Sequence, residues 1–124
     1  MIFRPNYIAQ LKKWINKPQI KIITGIRRSG KSSVLAILKE ELIKLSIAEH
    51  QIVSLNFESF ASEQLKTAKN LYLYLQDKIQ NQQKYYILLD EIQEVEEWEK
   101  VVNSLLVDFD VDIYLTGSNS HLLS

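Results

Sequence analysis

The chain contains no cysteine, so neither a disulfide framework nor a thiolate metal site is possible. Its two histidines, His50 and His121, are too few for a zinc site of the ordinary kind and read as surface residues. The opening stretch MIFRPNYIAQLKKW has no uninterrupted apolar run of the signal-peptide kind, and nothing later approaches the ~18 apolar residues of a membrane span. A cytoplasmic setting away from membranes is the expectation. An excess of either charge is missing as well. Fifteen basic and fifteen acidic side chains cancel, and no Lys/Arg stripe announces a nucleic-acid face. Of the basic doublets, Lys12-Lys13 reads as a solvated helix face, whereas Arg27-Arg28 sits where local positive charge favours an anion. With only two prolines and three glycines in 124 residues, punctuation is sparse, and one domain around one core is expected.

What is present begins with those glycines, all of which lie in segments suited to a nucleoside triphosphate. Gly25-Ile26-Arg27-Arg28-Ser29-Gly30-Lys31-Ser32 is a complete GxxxxGK(S/T) phosphate loop. The glycines let backbone N-H groups turn inward around phosphate oxygens, Lys31 can reach the β- and γ-phosphates, and the Ser32 hydroxyl can ligate Mg²⁺. Ser33 completes the binding segment. The preceding QIKIIT, residues 19–24, is a short β-branched run, and residues 32–45 carry a helical pattern, so the octet falls in a strand-to-helix turn.

The remaining periodicity supplies the frame. Tyr7, Ile8, Leu11, Trp14 and Ile15 recur at helical spacing between Pro5 and Pro18, marking residues 1–18 as an amphipathic helix ahead of the core. QIVSLNF, residues 51–57, predicts a second strand. Leu65, Ala68, Leu71, Tyr72, Leu75 and Ile79 form a helical stripe within residues 62–81, followed by a polar loop at Gln80-Asn81-Gln82-Gln83. YYILL, residues 85–89, is the kind of strand covered on both faces in a parallel sheet. A third helix is expected from about Glu97, bearing Trp98, Val101, Val102, Leu105 and Leu106 on one stripe, and residues 112–116 give a fourth strand. The order helix, then β-α-β-α-β-α-β, argues for an α/β fold with helices packed on a mainly parallel sheet.

Two further segments carry chemistry. Asp90-Glu91 follows the third strand, at the edge where open parallel sheets gather ligands. In the functional reading Asp90 joins Ser32 in holding Mg²⁺, and Glu91 accepts a proton from an attacking water or orients it. In the structural alternative the two are helix-capping or turn residues. Gln93, Glu94, Glu96 and Glu97 are assigned to a solvated start of the next helix. After the fourth strand, Thr116-Gly117-Ser118-Asn119-Ser120 offers short polar side chains. Ser118 or Asn119 could touch the γ-phosphate or the attacking water, and either would equally serve as an N-cap.

Together, ITGIRRSGKSSVL, YYILLDEIQEVEEWEKVV and IYLTGSNSHLLS resemble the predicted AAA+ superfamily ATPases of bacteria and archaea that carry a C-terminal domain of uncertain function. The resemblance implies a three-layer P-loop NTPase core of the additional-strand class, in which the fourth strand inserts between the first and third. It also raises Ser118 or Asn119 to the sensor position. Residues 19–124 would be the N-terminal part of such a domain, without its fifth strand and helical lid. The first strand would then be a free edge open to self-association. No arginine follows Arg28, so an arginine finger is not supplied by the later residues. No guanine-reading segment follows the phosphate loop, which favours ATP over GTP. The expected function is Mg-dependent ATP binding with ATP hydrolysis. The alternative is a nucleotide-dependent switch or scaffold with little turnover.

Overall fold

Residues 12–13, 15–17, 20–23 and 29–117 are described by the computed structural model, the side chains of 29–33 excepted. The fold is α/β, with a four-stranded, all-parallel sheet in the order β1-β4-β3-β2. The strands are β1 (Lys21–Ile23), β2 (Ile52–Asn56), β3 (Tyr85–Asp90) and β4 (Val111–Thr116). β4 lies between β1 and β3, the arrangement implied by the resemblance. β3 and β4 are buried along their whole lengths, as befits central strands covered on both faces.

Helix α1 (Ser29–Lys44) packs on one face, where Val34, Leu35, Leu38 and Leu42 meet Ile23, Ile52, Tyr86, Leu88 and Tyr114. Helices α2 (Ala68–Lys78) and α3 (Trp98–Asp108) cover the other. There Leu71, Leu75, Val101, Val102 and Leu105 enclose Val53, Ile87, Leu89, Ile113 and Leu115. Alternate strand residues supply the two cores because successive side chains point to opposite faces of a sheet.

Two expectations need correction. The helical stripe predicted across 62–81 is broken: Phe60–Leu65 forms a 3-10 turn, and α2 starts afresh at Ala68. Thr67 causes the restart, its Oγ1 accepting the Asn70 N-H at 3.4 Å as an N-cap, while its neighbour Lys66 offers its carbonyl to the Glu96 N-H at 2.9 Å. Nor do the residues after Glu91 simply open the next helix. Ile92–Glu94 is a separate 3-10 turn, and Glu97, left-handed at φ 56° and ψ 37°, precedes α3. Among the described residues no helix is long and apolar enough to cross a membrane. Of the leading helix, Lys12 and Lys13 are helical and Ile15 packs against the α1-side core. Tyr7, Ile8, Leu11 and Trp14 lie outside the described residues, as does His121.

A buried polar cluster secures β1 at the end of the sheet where its strands begin. Lys21 Nζ donates to Asp112 Oδ1 and to the Lys17 carbonyl, and sits 5.0 Å from the centre of the Tyr114 ring. Asp112 Oδ2 also accepts from the Tyr114 hydroxyl at 2.7 Å and the Asn16 N-H at 2.8 Å, and Tyr86 donates to Asn16 Oδ1 at 2.8 Å. Burial, reinforced by the hydrogen bond to Asp112, pushes the Tyr114 hydroxyl pKa far above its ordinary value. Beside this cluster, Lys12 and Lys44 each reach Glu41 of α1 at 3.3 Å. Burial alone would raise the Glu41 carboxyl, but these lysines outweigh it and hold it below its usual range.

Candidate functional site

All four strands run the same way, so their C-terminal ends share one edge. Ile23 is level with Thr116, and Asn56 with Asp90. Strand parity then selects a face: Leu88 and Tyr114 point toward α1, so Asp90 and Thr116, two residues on, do the same. The Thr116 hydroxyl donates to Asp90 Oδ1 and accepts the Glu91 backbone N-H at 2.9 Å. Asp90 is 5% exposed and Thr116 fully buried, so this three-way contact is shielded from water.

The chain turns abruptly at Glu91, whose φ of 59° and ψ of 53° are left-handed. For a residue with a Cβ that conformation costs roughly 1–2 kcal/mol, and it persists only where neighbours enforce it. Here the Thr116 hydroxyl grips the amide from β4. The Glu91 side chain makes no capping hydrogen bond to the 3-10 turn that follows, while its backbone does serve as the turn residue that was part of the structural alternative. Gln93 folds back instead, its Nε2 donating to Glu91 Oε1 at 2.6 Å. Gln93 is therefore no solvated start to a helix; its Oε1 is buried with no hydrogen-bond partner among the described residues.

β1 reaches the same edge. β1 ends at Ile23, and α1 begins at Ser29, earlier than the helical pattern suggested. Ser29, Gly30, Lys31 and Ser32 thus form the first turn of α1, with Ser33 next, and the opening N-H groups of a helix have no partners within it. Gly25, Ile26, Arg27 and Arg28 lie outside the described residues, as do Ser118 and Asn119. Sequence pattern placed Thr116 in a polar cluster and Gln93 in a helix start, and gave neither its contact with the acidic pair. Strand parity with Asp90 was the available signal for the former; the latter had none stronger than its nearness to Glu91.

Among the described residues no group of three or more His, Cys, Asp or Glu side chains gathers to form a metal cage. A cavity of about 630 Å³ opens beside β2, an edge strand among the described residues, and is lined in part by Lys39, His50, Tyr74, Asp77 and Lys78. Neither Asp90 nor Glu91 lines it.

A parallel sheet with β4 inserted between β1 and β3, a helix launched from the end of β1, and an acidic pair ending β3 define a P-loop NTPase core. Residues 17–124 match the family model described as AAA domain, and the chain belongs to that family of AAA-like P-loop ATPases. It is 46% identical over 125 residues to an uncharacterized protein of Haemophilus influenzae, covering 100% of the chain and 31% of that protein. It is also 32% identical over 130 residues to an uncharacterized protein of Methanocaldococcus jannaschii, covering 94% and 27% respectively. The chain thus spans less than a third of these relatives' length. No solved structure matches it significantly.

Proposed function

We propose that this chain binds Mg-ATP through residues 25–33 and that the intact protein hydrolyses it in the cytoplasm. The observation that carries the reading is the acidic pair at the end of β3: Asp90 is held on the α1 face by Thr116, at the sheet edge where β1 also ends. Membership of an AAA-type family supports nucleotide binding. Backbone N-H groups of the loop and the first turn of α1 suit phosphate oxygens, and Lys31 suits the β- and γ-phosphates. A carboxylate at Asp90 and a hydroxyl at Ser32 are hard oxygen donors of the kind Mg²⁺ prefers, with phosphates and water completing its shell. When bound, Mg²⁺ would offset charge on the β- and γ-phosphates.

Glu91 is assigned the proton. As water attacks the γ-phosphorus and the bond to the β-γ bridging oxygen breaks, the water's proton passes to the Glu91 carboxylate, and ADP leaves with the bridging oxygen. Ser118 or Asn119 is the proposed sensor of the γ-phosphate. Self-association along β1, an edge strand among the described residues, is also proposed, and a strictly monomeric species on sizing would remove it.

The test is calorimetry with Mg-ATP and Mg-GTP, together with steady-state turnover, on the intact protein. Lys31→Ala is expected to lose both binding and turnover, while Glu91→Gln keeps Mg-ATP affinity and loses turnover. A Glu91→Gln protein hydrolysing at the wild-type rate defeats the hydrolase reading, and tight binding without turnover in the wild type favours a nucleotide-dependent switch.

A further inference from the structure

Glu91 bears two local costs that a stability-driven sequence would avoid. Its backbone is left-handed at φ 59° although it carries a Cβ. Gln93, a side chain that contacts its carboxylate, also leaves its own Oε1 buried with no partner among the described residues. A methionine or leucine at position 93 would fill similar space without stranding an acceptor. Such paired departures from local preference are expected where geometry is held for chemistry.

The contact itself has the form of a clamp. A carboxylate only accepts, so the amide must present its Nε2, and at 2.6 Å the two atoms are within hydrogen-bond distance. The Glu91 amide is fixed from β4 by Thr116 and its carboxylate from the 3-10 turn by Gln93. The residue is thus gripped at both ends.

We propose that Gln93 is a positioning residue for ATP hydrolysis, its carboxamide holding the Glu91 carboxylate in one orientation. The proposal rests on the hydrolytic reading of Glu91. Gln93 acts through Glu91 and has no part in holding nucleotide. Its loss therefore lowers kcat and spares affinity.

The experiment compares wild type, Gln93→Met, Glu91→Asp and the double variant in the intact protein. It measures turnover, Mg-ATP affinity by calorimetry, and the thermal midpoint. Gln93→Met is expected to lower kcat by roughly ten- to a hundredfold, the scale of a misplaced reacting group, with affinity unchanged and the thermal midpoint not reduced. In the Glu91→Asp background the shortened carboxylate is already beyond reach, so adding Gln93→Met produces no further loss. Unchanged or raised kcat in Gln93→Met, parallel loss of binding and turnover, or independent losses in the double variant would each overturn the proposal. If wild type turns over, Glu91→Gln does not, and Gln93→Met matches wild type, only the role of Gln93 fails. A wild type that binds Mg-ATP without hydrolysing it removes the hydrolytic reading and this proposal with it.

Discussion

Thr116 on β4 donates its hydroxyl proton to Asp90 on β3, so neighbouring strands are tied at the edge where they end. The same oxygen accepts the Glu91 N-H, and one side chain thereby sets the carboxylate of one acidic residue and the backbone of the next. Valine matches threonine in shape and supplies neither interaction. Thr116→Val should cost about 1–3 kcal/mol, because it strands a buried N-H and removes a donor from Asp90. Turnover should fall more than Mg-ATP affinity, whereas Thr116→Ser keeps most of both. Urea denaturation and steady-state kinetics on the two variants check this.

At the other end of the sheet, Lys21 and Asp112 form an ion pair whose side chains are 5% and 0% exposed. Removing one member of such a pair leaves a buried charge uncompensated, at about 3–5 kcal/mol. The two ends are not equivalent. Without Lys21, Asp112 still accepts from the Tyr114 hydroxyl and the Asn16 N-H; without Asp112, Lys21 keeps, among the described residues, the Lys17 carbonyl and the face of Tyr114. Asp112→Leu should therefore destabilise more than Lys21→Met, and the double variant should recover part of the loss. A double-mutant cycle in urea with no coupling would refute this.

Tyr114 gives a pH signature. Burial and the hydrogen bond to Asp112 raise its folded pKa above the unfolded value of about 10. Its contribution is fully present below that pH and is lost as the medium becomes more alkaline, because the unfolded chain releases the proton first. Stability should fall progressively above pH about 10. Tyr114→Phe should be less stable at neutral pH by about 1 kcal/mol through the lost hydrogen bond, yet show a shallower alkaline decline. Denaturation midpoints across pH values from about 8 to 11 make the comparison.

Much of the frame was legible because apolar runs and periods encode it. YYILL announced a doubly covered strand, and the Val101, Val102 and Leu105 stripe announced α3. Strand order came from the family resemblance, since periodicity says nothing about which strands are neighbours. The break before α2 was obscured because Leu65 and Ala68 keep helical spacing across it, although Thr67 offered a cap signal. Asp90 and Glu91 stood out as an acidic pair after a strand. Thr116 and Gln93 did not, since one acts across a strand register and the other through a left-handed turn. Lys21 and Asp112 were likewise invisible as partners, being 91 residues apart and joined only once β1 and β4 align.

Glu97 shares the left-handed backbone of Glu91 without its surroundings. Its φ is 56°, its side chain makes no cap bond, and its carboxylate pairs with Lys100 at 3.0 Å on the surface. Glycine would relieve roughly 1–2 kcal/mol of left-handed cost. Against this stand about 0.4–1 kcal/mol of extra unfolded-chain entropy and the small worth of an exposed ion pair. Glu97→Gly should thus be neutral or stabilising by up to about 1 kcal/mol, with turnover intact. Glu97→Ala keeps the Cβ and loses the ion pair, so it should gain nothing. At position 91 the same relief is offset because the Gln93 amide loses its acceptor, so Glu91→Gly should not be stabilised and should not turn over. Urea melts of the three glycine and alanine variants, paired with turnover, separate backbone strain from the carboxylate. A Glu97→Gly protein markedly less stable than wild type would show that the turn is not strained.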